Sequence, residues 1–203
     1  MKRVNGTEGV ALLECINPNK NRWAVRCDVI SATNEQGEQE GVSYLEEIFD
    51  HEPSLDEMKA VVAEGIGLYD ESSDVSSFAM GDVSMWLDKS TRTGLALTIS
   101  TLLGNVETEV RANADGMTEE EILTSIASQT AQTTVRLWSY DTPPVPFDLP
   151  IEDMQSMLGV LETYAKATFD QTQLHKSEAY ALTTTDEVLS YNYRVGYPDK
   201  ITL

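Results

Sequence analysis

Residues 22–32 read Arg22-Trp23-Ala24-Val25-Arg26-Cys27-Asp28-Val29-Ile30-Ser31-Ala32. Trp23, Val25, Cys27 and Val29 occupy one parity, and Arg22, Arg26 and Asp28 the other. Successive side chains of a strand point to opposite faces, so this period of two specifies a strand with one buried face. Upstream, residues 10–16 form a second apolar strand, stopped by Asn17-Pro18-Asn19. Proline presets φ there, and asparagine bonds its own backbone, which together make a turn. Downstream, the polar run from Asn34 to Gly41 supplies a loop, and alternation resumes over 42–50 through Val42, Tyr44 and Ile48. The expectation is a small antiparallel sheet.

His51-Glu52-Pro53 ends that sheet, and Ser54-Leu55-Asp56-Glu57 opens a helix as a capping box. Leu55, Met58, Val61, Val62 and Ile66 form its apolar stripe, with closure expected near Gly65 and Gly67. The serine-rich stretch Tyr69 to Ser77 reads as a linker, dividing the chain into domains 1–70 and 74–203.

The second part opens with a hairpin, Phe78 to Leu87, turning at Gly81-Asp82. Asp88 caps a helix striped by Leu95, Ile99, Leu102 and Leu103 and expected to stop at Gly104-Asn105; residues 106–112 then alternate as a strand. Thr118 and Glu121 form another capping box before a short helix through Ile122, Leu123 and Ile126. Residues 133–139 are a strand, and Pro143, Pro144 and Pro146 force an extended bend. Asp148 and Pro150 start the longest helix, striped by Ile151, Met154, Met157, Leu158, Leu161, Tyr164, Ala165 and Phe169. The fold class is α+β: a small antiparallel sheet plus helix, then a β-hairpin and helix domain with a long C-terminal helix. Run to about Leu182, that helix spans roughly 50 Å. This exceeds what a small core needs and suggests a partner surface, another copy of the chain included. Tyr164 and Phe169 on the helix, and Tyr191, Tyr193 and Tyr197 in the tail, are the expected contact residues.

The chain has 203 residues, with 14 Lys and Arg against 34 Asp and Glu, a formal charge of −20. Such a surface repels phosphate backbones and anionic lipid heads, which demotes nucleic-acid and membrane binding. No apolar run approaches the ~20 residues of a membrane helix. No apolar stretch follows Lys2-Arg3, so no signal peptide is read and folding in the cytoplasm is expected. Cys15 and Cys27 lie in strand-like surroundings as small hydrophobes, away from zinc-site spacing.

Chemistry has few candidates. His51, between Asp50 and Glu52, is a catalytic or metal fragment on one reading and a solvated strand-to-helix junction on the favoured one. His175 reads as packing or facing water rather than as a metal ligand. Arg111 to Gly116 has the look of a calcium loop, but its first and twelfth positions, Arg111 and Ile122, lack the required oxygen donors. Trp23, Trp86 and Trp138 lie on strands and read as core, with an exposed face for sugar or protein as the other reading. No catalytic, cofactor-binding or metal residue is assigned, and no enzymatic activity is expected.

Several motifs resemble a known family. Ser77-Phe78, Met85-Trp86-Leu87-Asp88-Lys89, Thr91-Arg92-x-Gly94-Leu95, Thr108-Glu109-Val110 and the closing Tyr191-x-Tyr193-x-x-Gly196-Tyr197-Pro198-x-Lys200 resemble the domain of unknown function numbered 4376, carried by phage and prophage proteins of gut bacteria. Arg22-Trp23 to Asp28, with Ser43-Tyr44 and Phe49-Asp50-His51, is similar to the front of such proteins. An acidic helix near 113–133 reads as an insertion relative to them. The resemblance implies a virion structural or assembly protein, tail- or fibre-associated, whose partners are other phage structural proteins. A transient chaperone for tail-fibre assembly and a receptor- or glycan-binding module are its alternatives.

Overall fold

The computed structural model describes residues 1–33, 37 and 39–203. They form two compact units, one from Met1–Glu71 with Thr168–Tyr197, the other from Ser72–Ala167 with Pro198–Leu203. This differs from the expected 1–70 and 74–203, because Thr168–Tyr197 returns to the first unit. Ala179, Val188, Leu189 and Tyr193 are buried there and complete its core.

The first unit carries a four-stranded antiparallel sheet of β1 (Lys2–Gly6), β2 (Leu13–Asn17), β3 (Arg22–Thr33) and β4 (Gln39–Phe49), in the order β1-β4-β3-β2. β1 holds a single apolar side chain, Val4, and is fixed as an edge by its backbone pairing with β4, which hydropathy does not register. Of the loop expected over Asn34–Gly41, residues 39–41 belong to β4, and 34–36 and 38 lie outside the described residues.

β3 does not bury a single face: Ala24 and Arg26 are buried as well as Val25 and Cys27, with Arg26 held by Glu14, Glu46 and the Ala11 carbonyl. A register shift follows Cys27, and Asp28 takes a φ of 53°. Aspartate tolerates the left-handed region better than most residues. The bulge turns Val29 outward, 41% exposed, against its expected inward parity.

Helix α1 (Leu55–Asp70) starts at the expected box: the Glu57 N–H donates to Ser54 Oγ, and the Ser54 N–H donates to Glu57 Oε2 at 2.8 Å. It runs through both Gly65 and Gly67 instead of closing there. Gly65 is buried in close packing, where its missing side chain is required and its helix penalty of ~1 kcal/mol is tolerated. Met58, Val61, Val62 and Ile66 pack with Val25, Cys27 and Leu45 of the sheet.

The second unit opens with hairpin β5 (Ser77–Met80) and β6 (Val83–Trp86), turning through Gly81 at a φ of 57°. Asp88 caps α2 (Lys89–Ala112), accepting from the Thr91 N–H at 3.0 Å. The expected strand over 106–112 is the last part of this helix. Val106 and Val110 are four apart as well as of one parity, and Glu107 pairs with Arg111 at 2.9 Å across one turn. Gly104, with open space at its Cβ position, does not stop it.

Helix α3 (Glu119–Gln132) begins at the Thr118–Glu121 box. Strand β7 (Thr134–Trp138) pairs with β8 (Pro146–Pro150), which the proline run had concealed. Asp148 therefore lies in a strand, bonded to Arg136, rather than capping a helix. Helix α4 (Ile151–Ala181) follows directly, and α5 (Thr185–Leu189) completes the helices. Phe78, Met85, Leu95, Ile99, Val135, Ile151, Met154 and Leu161 are among the residues of the second core. Residues 201–203 line β5, with the Ala79 N–H donating to the Ile201 carbonyl at 2.9 Å. Among the described residues no helix is long and apolar enough to cross a membrane.

Candidate functional site

The five aromatic contact residues expected from sequence separate into three groups. Tyr164 and Tyr193 are 6% and 1% exposed and belong to the interiors of their units. Tyr191 and Tyr197 are half-buried in a polar cluster of the first unit: His175 Nδ1 lies 2.7 Å from the Tyr191 hydroxyl, which also reaches Glu178, and Thr172 Oγ1 lies 3.0 Å from the Tyr197 hydroxyl. Phe169 alone is open, at 56%. The tyrosines are thus occupied in tying the tail to α4, because a tyrosine needs both apolar packing and a hydroxyl partner.

His175 is buried, with Nε2 2.8 Å from the Val195 carbonyl, so of the two expected settings it takes the packed one. His51 bonds through Nε2 to Glu57 at 2.8 Å and is more than half exposed, so the Asp50-His51-Glu52 group is part of a helix start. The Ser54 amide and hydroxyl, then His51, hold the Glu57 carboxyl down to about 2. Burial pushes the Cys27 thiol up to about 12, which keeps it protonated and unreactive. Asp28 accepts from Arg194 at 2.6 and 2.8 Å and from Arg3, a clasp between β1, β3 and the tail. A hollow of about 580 Å³ beside that clasp is lined by Asp28, Arg194 and Tyr191, whose polar groups already bond one another or their neighbours.

The second unit holds a different feature. A cleft of about 310 Å³ has an apolar floor that includes Phe78, Leu95 and Leu161, and its rim carries Trp86, Trp138, Arg92 and Arg136. Trp86 and Trp138, expected in the core, are 41% and 59% exposed. The strand pattern explains both. Met85 of β6 and Val135 of β7 are buried, so Trp86 and Trp138 fall on the opposite parity.

The surroundings hold this rim in place. Tyr140 packs on Trp86 at a centroid distance of 4.6 Å, and its N–H donates to the Ser84 carbonyl at 3.1 Å. Arg136 grips Asp148 across the β7–β8 pair with bonds of 2.8 and 2.6 Å. That pairing raises the arginine and lowers the carboxyl relative to their ordinary values. Arg92 donates from Nε to the Leu87 carbonyl at 3.0 Å and from Nη1 to Glu162 at 2.6 Å. The assembled site presents flat apolar faces, an apolar hollow and guanidinium donors, which suits binding.

Among the described residues no three His, Cys, Asp or Glu side chains converge as a metal site. No family model, no curated protein and no solved structure matches this chain.

Proposed function

We propose that the chain is a structural or assembly component of a phage particle, tail- or fibre-associated, which acts by contact with other particle proteins and not by catalysis. The motif resemblance supplies the phage setting, and the cleft of the second unit supplies the contact surface. One observation carries the reading: two tryptophans stand open at the rim of an apolar hollow. Buried tryptophan is among the most productive residues at protein interfaces, and a partner that covers these two removes large apolar surface from water.

The test is mass spectrometry of purified particles and assembly intermediates from a producing host. The chain is expected in one or both, and Trp138→Ala is expected to reduce its occupancy without changing its unfolding transition. Absence from both fractions overturns the proposal. A glycan-binding reading draws on the Trp86–Tyr140 pair, since stacked aromatics also present a face to sugar rings. Binding on a glycan array that Trp86→Ala abolishes would favour it.

A further inference from the structure

We infer that the cleft of the second unit selects an acidic, extended segment of a partner protein, anchored by a bulky apolar side chain between Trp86 and Trp138. The inference rests on the reading of this cleft as a protein-contact surface and adds the chemistry of the partner.

Charge distribution supplies the argument. Acids outnumber bases 34 to 14 in this chain. Among the described residues that line the cleft, the charged ones are Arg92 and Arg136, and no carboxylate is present. Each arginine is paired with a carboxylate just outside the lining, Glu162 or Asp148, so the lining itself offers cationic donors on an otherwise acidic chain.

Both guanidiniums have donors to spare. Arginine carries five N–H groups. Arg136 uses Nε and Nη2 on Asp148, and Arg92 uses Nε and Nη1. Their carboxylate partners, Asp148 and Glu162, are 48% and 53% exposed. The Arg136–Asp148 pair, exposed on both sides, is worth ~0–1 kcal/mol, so an incoming carboxylate shares or replaces it at small cost. Arg92 is 17% exposed and adds its remaining donors from a more buried position. Planar guanidinium also matches a carboxylate with two parallel bonds, as Arg136 already does.

The apolar floor sets the second requirement. At about 310 Å³ the hollow is at the small end of ligand cavities, ~300–1,000 Å³, and holds side chains rather than a helix. Repulsion between the net −20 of the chain and an acidic partner is screened beyond ~10 Å at 0.1 M salt, while contacts at the rim are closer than that.

Two peptides test this, acetyl-Glu-Phe-Glu-Leu-Glu-amide and its counterpart with every Glu replaced by Gln, each titrated into the ¹⁵N-labelled full chain at 0.15 M salt. Indole N–H resonances report by site, because Trp23 belongs to the first unit and serves as the internal reference. The acidic peptide is expected to move the Trp86 and Trp138 signals, leave Trp23 in place, and bind roughly tenfold more tightly than the Gln peptide. Arg136→Gln is expected to cut that preference at least threefold while leaving the Gln peptide unaffected. If neither peptide moves Trp86 or Trp138, the contact surface itself is wrong, and the inference falls with it. If both bind equally, or if Arg136→Gln leaves the preference intact, the charge selection is refuted and the contact surface stands.

Discussion

Replacing Tyr193 by phenylalanine removes one oxygen from the interior of the first unit, and the structure gives that oxygen nothing to do. The Tyr193 hydroxyl is buried with no hydrogen-bond partner among the described residues, and the side chain is 1% exposed. Burial also drives its ionisation well above the ordinary phenol range. An unsatisfied buried hydroxyl costs ~1–3 kcal/mol, so Tyr193→Phe is expected to stabilise the unit by about 1 kcal/mol. The same oxygen explains Gly65: a Cβ built there lies 2.7 Å from Tyr193 Oη and 3.2 Å from Leu45 Cδ1. Gly65→Ala gains ~1 kcal/mol of helix propensity but forces that contact apart, a cost of ~1–3 kcal/mol, for a net loss of about 1 kcal/mol. With the oxygen gone, the alanine keeps its propensity gain and most of the clash is lifted. The double variant should therefore match or exceed the parent, with a coupling of about 2 kcal/mol. Native-state hydrogen exchange on peptides from β3 and α1 reads this unit by itself. If Tyr193→Phe destabilises, the hydroxyl is bonded, for instance to an internal water. If the two substitutions are simply additive, the steric account of Gly65 is wrong.

Other perturbations read other parts of the structure. Glu57 has its folded carboxyl held at about 2, below its unfolded value of 4.5, so its stabilising effect is present above the unfolded value and is lost as pH falls toward 2. In a carboxyl ¹³C titration, Ser54→Ala is expected to move the Glu57 midpoint up toward 4.5, and His51→Ala to move it less. Gly104→Ala, on an exposed helical position with open space around it, should raise stability by ~0.5–1 kcal/mol in thermal melts. A loss there would return residues 106–112 to the strand that hydropathy suggests. A thiol reagent at pH 8 should leave Cys27 untouched in the native chain and modify it once urea unfolds the protein.

Strand β3, both early capping boxes and the long helix were legible from the chain because each rests on a local pattern. A period of two needs one strand, a Ser-x-x-Glu box needs four residues, and the stripe from Ile151 to Leu161 needs three turns. What failed depended on partners far away in sequence. Val29 turns outward because Asp28 sits in a bulge, where its carboxylate is held by Arg3 and Arg194, positions 25 and 166 residues distant. The α2 boundary failed for another reason: Val106, Thr108 and Val110 satisfy a period of two, while Val106 and Val110 also satisfy a helical spacing. The pairing of Arg111 with Glu107 and with Glu119 of α3 favours the helix. Sequence order says nothing of which core Val188, Leu189 and Tyr193 enter, so the tail reads as part of the second domain although it completes the first.

Phe169 is open as expected, but the tail tyrosines and two of the tryptophans depart from expectation, and the departure follows from hydrogen bonding and strand parity together. The tail tyrosines are expected as contact residues, yet the hydroxyls of Tyr191 and Tyr197 meet His175, Glu178 and Thr172, and those bonds draw the rings inward. The tryptophans read as core because they lie on strands. Strand β7, however, buries one parity only, and there Trp138 shares its parity with Arg136 while Val135 goes to the core. Read against their immediate neighbours, Trp86 and Trp138 fall on the parity opposite Met85 and Val135. Two short hairpins that each spend an outward position on an indole, with Tyr140 fixed against one of them, hold apolar surface that the unit's own core does not use. That surplus is the physical ground on which we propose the cleft, and not the buried histidine or the tyrosine cluster, as the surface for a partner.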